Sequence, residues 1–494
     1  MASTAALNAE PSRPDDRAEQ HLPPKSYSDA AQQPPPTTSS PQTNGIHRID
    51  PPTPGEYSGS GMGEAPQSPS RGHKRVSSKP SNPKLNGSAK KEQEGDNGSI
   101  VQERYRSING SGETLNSVKP SNEYDERLWQ DRKERKKKQP ELVTGRRAGA
   151  GWERSKIRWA PFNVPLQRRL QTAMVLLHTL SIALFLTFFF WLCAIPLLWP
   201  IILLYLLYIL ISRAPIDGRL SLRTEAMRRS KLWSLFASYF PARLYRLGDE
   251  LPPTRKYIFG YHPHGIISHG AFAAFATEAL GFGQLFPGIT NTLLTLDSNF
   301  RIPLYRDYAL RLGLASVSRE SCENILSKGG PNNEGMGRAI TIVIGGARES
   351  LDASPGVLKL VLGRRKGFVK LAIRTGADLV PVLAFGENDL YEQVSAVDHP
   401  WIHKFQLLVK KFMGFTVPLF HARGVFNYDV GLMPYRRPIN IVVGKPIMVQ
   451  MQEKPDPAYV DQVHAQYMSE LKDIWDDFKD RFAKDREGEL EIIE

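Results

Sequence analysis

The sequence predicts an α/β fold: a mixed, largely parallel sheet flanked by helices, preceded by a transmembrane helical hairpin and a disordered N-terminal arm. Three observations carry this. Residues 1–150 are rich in Pro, Ser, Asn, Gly and charge, with few apolar side chains. Gln171–Ser212 contains no Asp, Glu, Lys or Arg. From residue 213 to about 485, short β-branched runs bounded by Gly or Pro alternate with helical patterns.

Residues 1–150 cannot bury enough apolar surface to offset the entropy of ordering, so a disordered, basic, Pro/Ser-rich arm is expected. Its run "RKERKKK" (Arg132–Lys138) reads as solvated charge, as a contact for acidic lipid or as an import signal. The first twenty residues lack a long apolar run, so no cleavable signal peptide is expected. The net charge of +13 over 494 residues is unevenly spread. That argues against a nucleic-acid binder and suits a protein held against an anionic lipid surface. Cys193 and Cys322 are the only cysteines, which excludes a disulfide framework and a four-cysteine metal site. The chemistry is expected to face the reducing cytosol.

The uncharged stretch 171–212 is about twice the roughly 20 residues that one crossing needs. Pro196 and Pro200 fall just past its middle, where a turn between two helices belongs. Basic residues flank both ends, Arg168 and Arg169 before, Arg213 and Arg219 after. The positive-inside rule then places both ends in the cytosol, which demands a hairpin that spans fully or dips in and returns.

Residues 213–485 are expected to form one domain. "KYIFGY" (256–261), "AITIVIGG" (339–346), "DLVPVLAFG" (378–386) and "INIVVGKPI" (439–447) read as buried strands. At the end of the first stands "HPHG". Strand termini in α/β sheets present side chains to a crevice. Pro263 biases His262 to an extended conformation, and Gly265 clears space beside His264. Three readings compete for these histidines. They satisfy buried backbone groups at a turn, they bind metal, or one is a base that activates a hydroxyl for acyl transfer. The metal reading lacks the clustered histidine boxes of membrane di-iron sites, since the chain has 11 histidines and no adjacent pair. There is no G-x-S-x-G nucleophile elbow.

Further blocks decide among these readings. "YFP" (239–241), "YHPHG" (261–265), "GGARES" (345–350), "RRKGFVKLAIRTGADLVPVLAFGEN" (364–388) and "VVGKPI" (442–447) follow in order after the apolar stretch. The chain thereby resembles the type-2 diacylglycerol acyltransferase family, which includes monoacylglycerol and wax-alcohol acyltransferases. The resemblance covers about residues 150–485, implies a fold like that of glycerolipid acyltransferases and leaves 1–150 without a counterpart. The FLxLxxxN lipid motif of the family is matched by Phe185–Leu192 in its first two residues only.

What the resemblance implies is an enzyme, an acyl-CoA:diacylglycerol acyltransferase that makes triacylglycerol. His264 would be the general base, with His262 and Gly265 beside it, acyl-CoA the co-substrate, and no cofactor or metal. In glycerolipid acyltransferases an aspartate stands five positions after the histidine; here that position is His269. Glu349 is the candidate to orient the imidazole instead. Arg319, Arg364, Arg365 and Lys366, with Gly367 opening a helix and Asn388 nearby, are candidates for the phosphates of CoA. The implied setting is the endoplasmic reticulum membrane, with both termini cytosolic, and the lipid-droplet surface. A homo-oligomer is compatible with the sequence. The alternatives are a monoacylglycerol or long-chain-alcohol acceptor and, from another class, a non-catalytic scaffold on lipid membranes. Removal of residues 1–140 is expected to leave catalysis largely intact.

Overall fold

The computed structural model describes residues 98–107, 110–119, 159–160, 164–393 and 420–493. The Arg132–Lys138 run and most of the expected arm lie outside them. Inside the arm, however, Ile100–Arg104 (β1) and Thr114–Val118 (β2) form an antiparallel hairpin. β2 pairs with strand Arg243–Leu247 (β3), Leu115 opposite Leu247. For these two strands, the expectation of disorder is corrected. Each strand is five residues long, so both vanish in a composition averaged over the arm.

The hairpin is held by specific contacts. Arg481 pairs with Glu103, and Lys445 Nζ lies 2.9 Å from Glu113. Ser111 donates to Asp477 at 2.7 Å, and Tyr105 packs its ring 5.2 Å from Phe478.

The uncharged stretch breaks into Leu166–Thr179 (α1), Ser181–Cys193 (α2) and Trp199–Ile211 (α3). The break between α2 and α3 holds Pro196, in a 3₁₀ turn, and Pro200 sits in the first turn of α3. A second break bends α1 against α2 by 66°. No single described helix is long and apolar enough to cross a membrane, and only the bent pair α1–α2 could do so by length and composition. The 13 residues of α2 and of α3 each reach about 20 Å, short of a hydrocarbon core about 30 Å thick. Of the hairpin expected over 171–212, spanning fully or dipping in and returning, the described helices show no clear pair of full crossings.

After α3 come Leu232–Tyr239 (α4), β3 and Tyr257–His262 (β4). Thr290–Thr295 (β5), Tyr305–Arg311 (α5), Ala315–Ser316 (β6) and Arg319–Ser327 (α6) follow. Then come Arg338–Val343 (β7), Gly346–Asp352 (α7), Lys359–Val361 (β8), Gly367–Thr375 (α8) and Asp378–Phe385 (β9). Two short strands, Glu392–Gln393 (β10) and Phe420–His421 (β11), precede Asn440–Val443 (β12), Pro457–Phe482 (α9) and Glu491–Ile493 (β13). Among the described residues, nine strands form one sheet in the order β1-β2-β3-β12-β9-β4-β7-β5-β6. From β9 to β6 every pairing is parallel, as the runs of Val, Ile and Leu predict. β12 runs antiparallel to β9.

One face of the sheet packs under α6, α8 and α9, through Ile325, Leu371, Leu471 and Phe478. The other packs under α4, α5 and the turn after β4, through Phe236, Phe240, Phe272 and Phe275. Such two-sided burial is why the strands read as continuous apolar runs. It also decides where the chemistry sits. β4 lies between β7 and β9 and parallel to both, so the chain segments leaving all three emerge side by side at one sheet edge.

Candidate active site

Those three segments are "HPHG", "GGARES" and "GEN". His262, the last residue of β4, is fully buried. The Tyr467 hydroxyl, from the middle of α9, donates to the Gly260 carbonyl at 3.0 Å and lies 3.1 Å from His262 Nε2. Its single proton is spent on the carbonyl, so His262 donates through Nε2–H. Gly260 has to be glycine, because a Cβ there would lie 2.0 Å from the tyrosine oxygen. Burial, and then the charge of Arg365, push His262 down to about 3, so the ring is neutral.

His264 sits at the edge, half-buried. Its Nδ1 is 3.0 Å from the Gly265 carbonyl, so Nδ1–H donates there and Nε2 keeps its lone pair. Burial, with a smaller contribution from Arg365, lowers its pKa, against the pull of that carbonyl. A neutral imidazole with one fixed tautomer results. Ser268, in the left-handed region at φ 62°, donates to the His264 carbonyl at 2.7 Å.

Glu349 is buried beneath this turn but does not hold the ring. Its carboxylate accepts the His264 N–H at 2.5 Å and the Val361 N–H at 2.9 Å. The expected orienting role falls to the Gly265 carbonyl, and Glu349 fixes the main chain of the loop instead. The reason is the turn at Gly345–Gly346, with Gly346 at φ +54°, which folds the carboxylate back beneath its own N-terminus. A Cβ on Gly345 would lie 2.1 Å from Glu349 Cδ. Burial pushes Glu349 up to about 7, against the two N–H donors and Arg365.

Arg365 is also buried, and donates to the Ile344 carbonyl at 2.6 Å. Beyond β9, Glu387 is a second buried carboxylate, pushed up to about 7 by burial. It accepts from the Tyr261 hydroxyl at 2.8 Å and the Gly270 N–H at 2.9 Å. The site thus offers a neutral base at the edge and two buried acceptors beneath it, an arrangement suited to removing a hydroxyl proton.

The model of the family described as diacylglycerol acyltransferase matches residues 190–493. A protein named diacylglycerol O-acyltransferase 2A from Umbelopsis ramanniana is 52% identical over 343 residues, 68% of this chain and 94% of that one. This chain belongs to the diacylglycerol acyltransferase family. Diacylglycerol O-acyltransferase 2 from Dictyostelium discoideum is 43% identical over 338 residues, 68% of this chain and 99% of that one. 2-Acylglycerol O-acyltransferase 1 from Bos taurus is 43% identical over 332 residues, 66% of this chain and 97% of that one. No solved structure matches.

The remaining candidates of this family member divide. Arg364 is exposed, Lys366 reaches Asp461 on α9 at 2.7 Å, and Gly367 opens α8 with no side-chain cap. Arg365 points inward, which corrects its assignment to the phosphates of CoA. Arg319 opens α6 on the same sheet edge and pairs with Glu323 at 2.9 Å. β6 is three strand positions from β4, about 14 Å at the usual spacing, so the fold does not bring Arg319 beside His264. Asn388 donates to the Val357 carbonyl at 3.0 Å and ties the segment after β9 to the turn before β8. His269 is buried 2.8 Å from the Tyr391 hydroxyl and stacked on Phe240. From sequence, Glu387 reads with Asn388 as lining the crevice or as capping the turn, with nothing to separate the two; Tyr261 and Tyr467 carried no signal as site residues. The signal for Glu387 was its place just after the strand beside β4.

Proposed function

We propose that this chain transfers an acyl group from acyl-CoA to the free hydroxyl of diacylglycerol, with His264 Nε2 as general base. The observation that carries the proposal is the neutral His264 ring, its Nδ1–H committed to the Gly265 carbonyl. Nε2 takes the hydroxyl proton as the oxygen attacks the thioester carbonyl. The tetrahedral oxyanion is met by peptide N–H groups of the turn after Gly265 or of Gly345–Gly346. Collapse breaks the C–S bond, and the CoA thiolate recovers the proton from the imidazolium. Triacylglycerol and free CoA leave. No covalent enzyme intermediate and no cofactor beyond acyl-CoA enter the scheme. Arg364 and Lys366, before the uncapped start of α8, are the cations we assign to the phosphates of CoA.

The same reading places the enzyme on the endoplasmic reticulum and lipid droplets, anchored by α2 and α3. Their exposed apolar side chains support it, with Leu197 in the turn between them 86% and Leu210 on α3 82% exposed. A second acceptor, monoacylglycerol, is favoured by the 43% identity to a protein named for 2-acylglycerol. Initial rates with labelled acyl-CoA against diacylglycerol, 2-monoacylglycerol and a long-chain alcohol separate the readings. Diacylglycerol should give the highest kcat/KM. A higher value for another acceptor reassigns the substrate, and no turnover with any of them removes the proposal in favour of a lipid scaffold.

A further inference from the structure

Beneath the loop that carries His264, one side chain touches the chain on both sides of the "HPHG" segment. Glu387 Oε2 receives Tyr261 Oη at 2.8 Å, from the residue before His262. The same oxygen receives the Gly270 N–H at 2.9 Å, from the helical turn that follows. Between those two points the carboxylate side chain lies flat against Gly265. A Cβ on Gly265 would meet Glu387 Cγ at 2.8 Å and Oε1 at 3.5 Å, and one on Gly270 would meet Tyr261 Oη at 2.4 Å and Glu387 Oε2 at 2.5 Å. Gly265 also has φ +59°, a conformation that glycine adopts without strain. Both glycines therefore leave the room that the Glu387 carboxylate fills, Gly270 together with the Tyr261 hydroxyl bound to it.

Gly265 also owns the carbonyl that receives His264 Nδ1–H. We infer that Glu387 is a positioning residue for acyl transfer: it clasps the loop from Tyr261 to Gly270 and thereby holds the Gly265 carbonyl that sets the tautomer and direction of His264. The inference rests on the reading of His264 as the base. Glu387 is buried and touches the loop from beneath, so it acts on His264 only through the peptide of Gly265. Nothing places it against CoA. Loss of the clasp should then disorder the base without weakening acyl-CoA binding, because a misplacement of about 1 Å costs on the order of 10²-fold in rate.

The test uses the full chain in membranes, with rates normalised to folded protein and with kcat and the KM for acyl-CoA measured separately. Glu387→Met keeps the volume and removes the acceptor. Its kcat should fall about 30- to 100-fold with KM within twofold. Glu387→Gln keeps one acceptor for the Gly270 N–H and guards against a Met variant that does not accumulate; its kcat should fall only about three- to tenfold, again at constant KM. His264→Ala combined with either variant should be no slower than His264→Ala alone, since the clasp acts through that ring. A Glu387 variant at normal abundance with wild-type kcat, or with an altered KM alone, overturns the inference. If His264→Ala itself stays active, the failure belongs to the base assignment and not to the clasp.

Discussion

At the scale of single residues, the chemistry turns on which groups are neutral. Burial holds His264 below its ordinary value, so it is a free base at neutral pH, whereas burial pushes Glu349 and Glu387 both up to about 7. An ionised carboxylate is the stronger acceptor for the N–H groups it binds. Activity should therefore rise with pH through about 7, above where the imidazole alone would set the limb. A kcat/KM profile checks this. The Glu349→Gln/Glu387→Gln double variant, slower overall, should lose that limb, and an unchanged limb argues against the assignment.

Stability runs the other way. Each carboxyl has a folded pKa above its ordinary value of 4.5, so its relative stabilisation is full below that pH and is lost as pH rises through about 7. The melting temperature should decline across that window, and less steeply in the double variant.

"HPHG" and "GGARES" were legible as chemistry, but their contacts were not. Whether Glu349 meets the ring or the amide of His264 depends on the positive φ of Gly346. Arg364, Arg365 and Lys366 are consecutive and point in different directions around a turn, so the sequence could not tell which one turns inward.

At the scale of elements, β4, β7, β9 and β12 appear where the β-branched runs predict them, within a residue or a few at each end. The β1–β2 hairpin was hidden because "IVQER" and "TLNSV" are short and mostly polar. It covers the edge of β3, buries Leu115 and ties to α9, so it belongs to the catalytic domain. This revises the expectation that residues 1–140 are dispensable. Removal of residues 1–97 should leave the melting temperature and activity near wild type. Removal of 1–119 exposes the β3 edge and should lower both, because burial of a leucine alone contributes about 1.5–3 kcal/mol. Equal melting temperatures for the two truncations, measured with ligand-free protein, would contradict the role given to the hairpin.

For the whole molecule, the proposed membrane anchoring turns on how the apolar helices meet the domain. The apolar helices dock on the domain: the Leu304 N–H donates to Tyr205 Oη at 2.7 Å, Asp307 accepts from the same hydroxyl, and Arg306 donates to Ser212 Oγ at 2.7 Å. Composition revealed the apolar stretch and its prolines, yet not the bend near Leu180 or this docking, and the docking joins side chains far apart in the chain. Two helices of about 20 Å joined at Pro196 suit a segment that enters and returns. In sealed microsomes, with Cys193 and Cys322 replaced by alanine, Leu166→Cys and Arg219→Cys should both react with an impermeant maleimide from the cytosolic side. Leu197→Cys should be protected from both sides; its labelling from the lumen would mean a full crossing.

The most direct measurement concerns the base itself. His264→Ala, prepared at wild-type abundance, should transfer acyl groups to diacylglycerol on the order of 10²–10⁴-fold more slowly, with the KM for acyl-CoA little changed. Turnover within threefold of wild type would contradict the account.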